Sequence, residues 1–193
     1  MPRTREFDAD EALDKAMRLF WRKGYAETSM RDLVAHTGVA HAGLYSAFGG
    51  KRELYQAALD HYDTTFGNML IGPLEVPDAG RAEVEGFFAI VLDAVRTNRW
   101  DDGCFMCNTA IEFGTDAGNI LANARGNIDR MAAGFRRALT RAREQGEVRA
   151  DLDPDATADF LVSTFHGVAV MARSKSPHDR IEHTIRIALR ELD

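Results

Sequence analysis

At 193 residues, 45% hydrophobic and 28% charged, the chain can bury a sizeable core as one domain or two small ones. No apolar run, the stretch 87–92 included, is long enough to cross a bilayer, and no apolar segment follows the two arginines of the opening residues, so a cytoplasmic protein without membrane contact is expected. Two cysteines, Cys104 and Cys107, are too few and too close together for a secreted disulfide framework. The net charge of −6 argues against a nucleic-acid partner until its distribution is read: residues 1–55 hold nine Lys/Arg against eight Asp/Glu, and the rest 15 against 22. That asymmetry suits a DNA-facing head on an acidic body.

Glycine and proline punctuate the chain, and the intervals between them have helical rather than strand spacing, which predicts an all-α fold. Leu13, Ala16, Met17 and Phe20 share one face of a first helix from about Asp8 to Lys23. Ser29 and Asp32 fit a capping box that opens a second, short helix ending at Gly38. A third follows after only Gly38-Val39. Beyond a loop at 78–81, longer helices are expected at 81–97, 103–113, 116–146, 154–175 and 177–192, with Asp153 capping the helix that starts at Pro154.

Two short helices joined by a glycine-containing turn make a helix-turn-helix, whose second helix fits a major groove. Leu44 and Phe48 point back with Val39 onto Leu33 and Val34, while His41, Ala42, Tyr45 and Ser46 point away. This stretch resembles the tetracycline-repressor (TetR) family. Leu13, Ala16, Leu19-Phe20, Gly24-Tyr25, Thr28-Ser29, Leu33, Gly38-Val39, Leu44-Tyr45, Phe48, Lys51 and Glu53-Leu54 match its N-terminal signature in order and spacing.

The resemblance implies a homodimeric repressor of a pseudo-palindromic double-stranded operator, with residues 1–55 as its DNA-binding head and 56–193 as an effector-binding and dimerisation body. It also implies that Thr28, Ser29, Tyr45 and Lys51 hold phosphates, and that Arg31 and the exposed face of the third helix, His41, Ala42 and Ser46, reach base edges. Gly43 reads as a close backbone approach to DNA, or as simple tolerance near a helix start. Where the family usually has a capping serine, this chain has Ala40, so the third helix starts without a good side-chain cap.

The family's middle helices enclose an effector cavity. Phe66, Met69, Phe87, Val91, Cys104, Cys107, Asn108, Ile111, Glu112, Phe165 and His166, polar groups among apolar ones, are its expected lining, with core packing as the alternative for each. Leu161, Phe165, Val168, Ala172, Ile185 and Leu189 could form a four-helix dimer interface or pack inside one subunit. In mechanism, a ligand in the body would shift the fourth helix and change the separation of the two recognition helices. The rival reading is a thiol-based sensor or helical thiol protein: Cys104, near a helix start, would have a lowered thiol pKa. No Ser-His-Asp set, HExxH, Walker loop or dinucleotide fingerprint is present, and His36 and His41 lack partners at metal spacing. Neither enzymatic chemistry nor a cofactor is expected.

Overall fold

The computed structural model describes residues 7–114 and 118–193. The arginine-containing opening segment and the expected helix start at Asp116 lie outside the described residues. Within them the chain forms ten α-helices and no strand, as the spacing of its apolar residues predicts.

Helix α1, Ala9–Lys23, starts where Asp8 Oδ1 accepts the N–H groups of Asp10 and Glu11, and its buried stripe is Ala12, Ala16, Met17, Leu19 and Phe20. Helix α2, Met30–Thr37, opens on the complete Ser29/Asp32 capping box and stops at Gly38, which takes a left-handed φ of 75°. Helix α3, His41–Phe48, follows Ala40 with no side-chain cap. Leu44 is fully buried beneath it, and the other face is exposed.

Helix α4, Lys51–Tyr62, packs along α1 and runs on through a π-helical turn, Asp63–Gly67, into α5, Asn68–Glu75. The sequence reading places no element over 63–75. Thr64 and Thr65 turn their hydroxyls onto carbonyls three and four residues back, and Asp63 leans over Gly67 where a Cβ would collide with its carboxylate. Local polar groups therefore widen the turn. An apolar periodicity does not report them.

The body is completed by α6 (Arg81–Arg96), α7 (Phe105–Phe113), α8 (Asn119–Glu144), α9 (Pro154–Arg173) and α10 (His178–Leu189), closed by a 3-10 turn, Arg190–Leu192. Asp153 caps α9 as its position predicts. Helix α8 is central and lies against α5, α6, α7 and α9. Phe87 meets Phe135 at 4.9 Å and Phe165 at 5.3 Å between ring centroids, edge to face, at the heart of the body.

The buried core does not stop at the head. Tyr55, on α4, packs its ring against Phe20 and Tyr25 on one side and Phe105 and Phe113 on the other, and its hydroxyl shares a 2.8 Å hydrogen bond with that of Thr109. A boundary between residues 55 and 56 falls inside this continuous helix, so α4 is common to both parts.

Candidate nucleic-acid interface and body cavity

On the recognition helix α3, His41 and Tyr45 lie one turn apart and stack their rings, centroids 6.3 Å apart at 15°. Tyr45 is 62% exposed, which for a large aromatic ring leaves a broad surface in solvent. Ala42 and Ser46 complete the outward face, and Arg31 is exposed on α2 nearby in sequence. Lys51, in the first turn of α4, holds its Nζ 4.2 Å above the ring centroid of Tyr25, a cation–π contact that orders the ammonium beside the helix N-terminus. These side chains offer hydroxyl, imidazole, guanidinium and ammonium donors, the set that phosphate oxygens and base edges require.

One expected contact is corrected, and two further residues have a structural role in the motif. Thr28 is completely buried and donates its hydroxyl to the Gly24 carbonyl at 2.6 Å, so it locks the loop between α1 and α2 from within and has no side chain to offer a phosphate. Ser29 is exposed, but its hydroxyl donates to Asp32 at 2.8 Å and accepts the Asp32 N–H. The Ser29 N–H and hydroxyl, with Lys23, hold the Asp32 carboxyl down at about 2, so a phosphate at Ser29 would meet a like charge. Gly43 is demanded by packing: a Cβ there would stand 2.9 Å from Val39 Cγ1 and 3.2 Å from the Phe7 ring.

The body contains a cavity of about 350 Å³ between α1, α4, the π-helical turn, α5 and α6. Phe66, Met69 and Val91 line it as expected. So do Trp21, Trp100, Arg18 and Arg99, none of which sequence reasoning placed there. Trp21 follows Met17 by four residues and so flanks the buried stripe of α1, a signal that was available.

The remaining expected lining residues lie elsewhere. Phe87 and Phe165 are locked in the aromatic core, and Ile111 is exposed. Asn108 donates to the Asp102 carbonyl at 2.9 Å and fastens the loop before α7. Glu112 is exposed and turned to the head, where it accepts two backbone N–H groups. His166 is partly buried, its Nε2 has no hydrogen-bond partner among the described residues, and burial holds its pKa below the usual imidazole value. Cys104 and Cys107 are buried and unbridged. Burial pushes the Cys104 thiol up to about 11, opposite to the expected lowering: desolvation outweighs the helix N-terminus, and a protonated thiol is a poor nucleophile.

Most of the expected dimer residues are occupied within the subunit. Leu161, Phe165, Val168, Ala172 and Ile185 face the subunit's own core, and Leu189 packs against it. The opposite faces of the same helices expose Phe160, Ser163, Gly167 and Val170 on α9 and Ile187 on α10.

Comparison with known proteins agrees with this geometry. Residues 12–58 match the model "Bacterial regulatory proteins, tetR family", and residues 80–188 match "Tetracyclin repressor-like, C-terminal domain". The HTH-type transcriptional repressor ComR of Escherichia coli is 29% identical over 189 residues, covering 97% of this chain and 90% of that protein. The uncharacterized HTH-type transcriptional regulator YezE of Bacillus subtilis is 28% identical over 194 residues, with full coverage of both. Among solved structures, a cysteine mutant of the TetR family transcriptional regulator CifR, complexed with 26 bp double-strand operator DNA, superposes with a TM-score of 0.87 at 26% identity, covering 99% of this chain and 100% of that one.

Proposed function

Because this chain belongs to the TetR family of bacterial regulatory proteins, we propose that it is a cytoplasmic repressor that grips a pseudo-palindromic operator as a homodimer and releases it when a small molecule enters the body. It is a regulator and not an enzyme. The observation that carries the reading is the outward face of α3, where a stacked His41–Tyr45 pair stands in solvent beside Ala42 and Ser46. Such a face gains nothing for folding and everything for a groove. The superposition on a CifR–operator complex supports a DNA-binding role for this fold. In this reading Tyr45 and Lys51 hold phosphates, Arg31, His41 and Ser46 reach base edges, and Thr28, Ser29 and Gly43 shape the motif.

Two half-sites on one face of DNA lie about 34–36 Å apart, so the repressor needs two heads held at a fixed separation. The exposed apolar strip of α9 and α10 supplies a self-complementary face. Helix α4 joins the head to the π-helical turn and α5, both of which line the cavity, so a ligand there presses on the element that positions α3. Repression is the reading the ComR relative supports.

The test is fluorescence anisotropy with the DNA upstream of the protein's own gene against random duplex, as a function of salt. Specific binding at least about a thousandfold tighter than to random DNA, falling steeply with salt, is expected. Equal affinity for the two would sink the reading.

A further inference from the structure

Both tryptophans of the chain line the cavity described above, together with Phe66 and Tyr62, and among the described residues the charged groups in its lining are two cations, Arg18 and Arg99. The aromatic wall is ordered: Trp21 meets Tyr62 at 4.9 Å and Phe66 at 5.2 Å, and the Trp21 indole N–H is tied to the Gly103 carbonyl at 2.9 Å. Arg18 sits 6.0 Å from the Phe66 ring centroid. Each guanidinium has one acidic partner outside the lining, and each keeps donors in reserve. Arg18 gives Nε and Nη2 to Asp14; Arg99 gives Nε to the Thr97 hydroxyl and Nη2 to Asp93. A guanidinium has five N–H donors, so among the described residues the Nη1 group of both remains for a ligand.

We propose that this cavity binds a flat aromatic anion, an aryl carboxylate of one or two rings, with its ring against Trp21, Phe66 and Trp100 and its carboxylate on Arg18 and Arg99. The volume is at the small end of ligand sites, which fixes the ring count. The sign of charge follows from the donors: the spare N–H groups of two guanidiniums suit a carboxylate, and the lining has no Asp or Glu among the described residues to hold a cation. Aromatic walls favour a flat ring over an alkyl chain by edge and stacking contacts. The site also assigns a second route to the head. Arg18 and Trp21 belong to α1, the helix on which α2 rests, so the ligand touches the DNA-binding part directly as well as through α4. This deepens the effector-released reading and rests on it for its consequence, though not for the binding itself.

Titration calorimetry on the full chain with naphthoate, its methyl ester and naphthylmethylammonium tests the proposal. Naphthoate should bind saturably, with ester and ammonium each at least about tenfold weaker. The preference should collapse in the Arg18→Gln/Arg99→Gln double variant. Asp14 keeps His61 as a partner there, so the fold is spared. Ala94→Trp, which fills the cavity wall, should block binding in a protein that keeps both arginines. An ester or ammonium within tenfold of naphthoate, a naphthoate Kd weaker than about 1 mM, a preference that survives the double variant, or binding untouched by Ala94→Trp each overturns it. Operator binding by the unliganded protein is read in the same preparation. Its absence with intact naphthoate binding would sink the repressor reading and leave the ligand class standing.

Discussion

Glu112 and Tyr25, 87 residues apart in sequence, are joined where the last turn of α7 meets the loop between α1 and α2: the carboxylate accepts the Tyr25 N–H at 2.9 Å and, through its other oxygen, the Ala26 N–H at 2.6 Å. Gly24 makes room for it, since a Cβ there would stand 3.0 Å from Glu112 Oε2, and its φ of 84° is one that glycine adopts readily. A body helix thus holds the backbone of the helix-turn-helix at its entrance. Two exposed hydrogen bonds to a charged acceptor contribute about 1–2 kcal/mol together, so Glu112→Ala should lower Tm by about 2–8 °C. It should also speed hydrogen exchange at the Tyr25 and Ala26 amides. Unchanged exchange at both amides would mean the link is not formed in solution.

The proposed DNA face separates contact residues from shaping ones. Tyr45→Phe removes a hydroxyl from an exposed ring and should weaken operator binding with the fold intact. Lys51→Ala should reduce the salt slope by about one unit, because one ammonium no longer displaces a counterion. Thr28→Val should do the reverse. It deletes the bond to the Gly24 carbonyl and should cost about 1–3 kcal/mol of stability, with operator affinity of the folded protein little changed. A Thr28→Val protein of normal stability and poor affinity would return Thr28 to the phosphate-contacting group.

Much of the architecture was legible because helix caps and apolar stripes are local. Asp8, Ser29 with Asp32, Asp153 and Gly38 each mark a boundary where the structure has one. The α3 face was legible for the same reason, since positions 41, 42, 45 and 46 are fixed by helical period alone. The cavity was not. Its lining comes from α1, α4, α5, α6 and the loop after it, and a single sequence does not say which apolar stripes leave space between them. Glu112 shows the same limit: among Cys107, Asn108 and Ile111 it reads as a polar group in a pocket, and only the chain's path reveals that it faces the head. The dimer residues turn on a finer point. The more apolar face of α9 and α10 belongs to the subunit's own core, and the weaker strip of Phe160, Gly167, Val170 and Ile187 remains outside.

Asp32 gives the head a pH signature with a definite sign. The Ser29 N–H, then its hydroxyl, then Lys23 hold the Asp32 carboxyl at about 2, below its ordinary 3.8. A carboxyl depressed on folding stabilises the folded state fully above its unfolded pKa and loses that contribution as pH falls toward the folded value. The stability gap between wild type and Asp32→Ala, measured by urea unfolding, should be constant above about pH 5 and narrow steadily between about pH 4 and 2. A gap that stays constant through that range would show that the capping box does not favour the charged carboxylate.

The exposed strip on α9 and α10 makes the last prediction. Val170 is 52% exposed and Ile187 54%, large apolar side chains that a subunit alone leaves in water, and Gly167 lies one turn before Val170 with open space around it. A glycine beside exposed apolar groups lets a second helix pair approach closely, and a self-complementary face closes as a two-fold dimer. Val170→Arg with Ile187→Arg buries no charge within the subunit, so the fold should survive while like charges meet across the two-fold axis. Sedimentation should then find monomers, with operator affinity falling by at least about a hundredfold because one head holds one half-site. Leu161→Arg, in contrast, places a charge in the core and should unfold the subunit. A double variant that remains a dimer would place the interface elsewhere on the body, and a wild type that sediments as a monomer at micromolar concentration would remove the two-headed grip altogether.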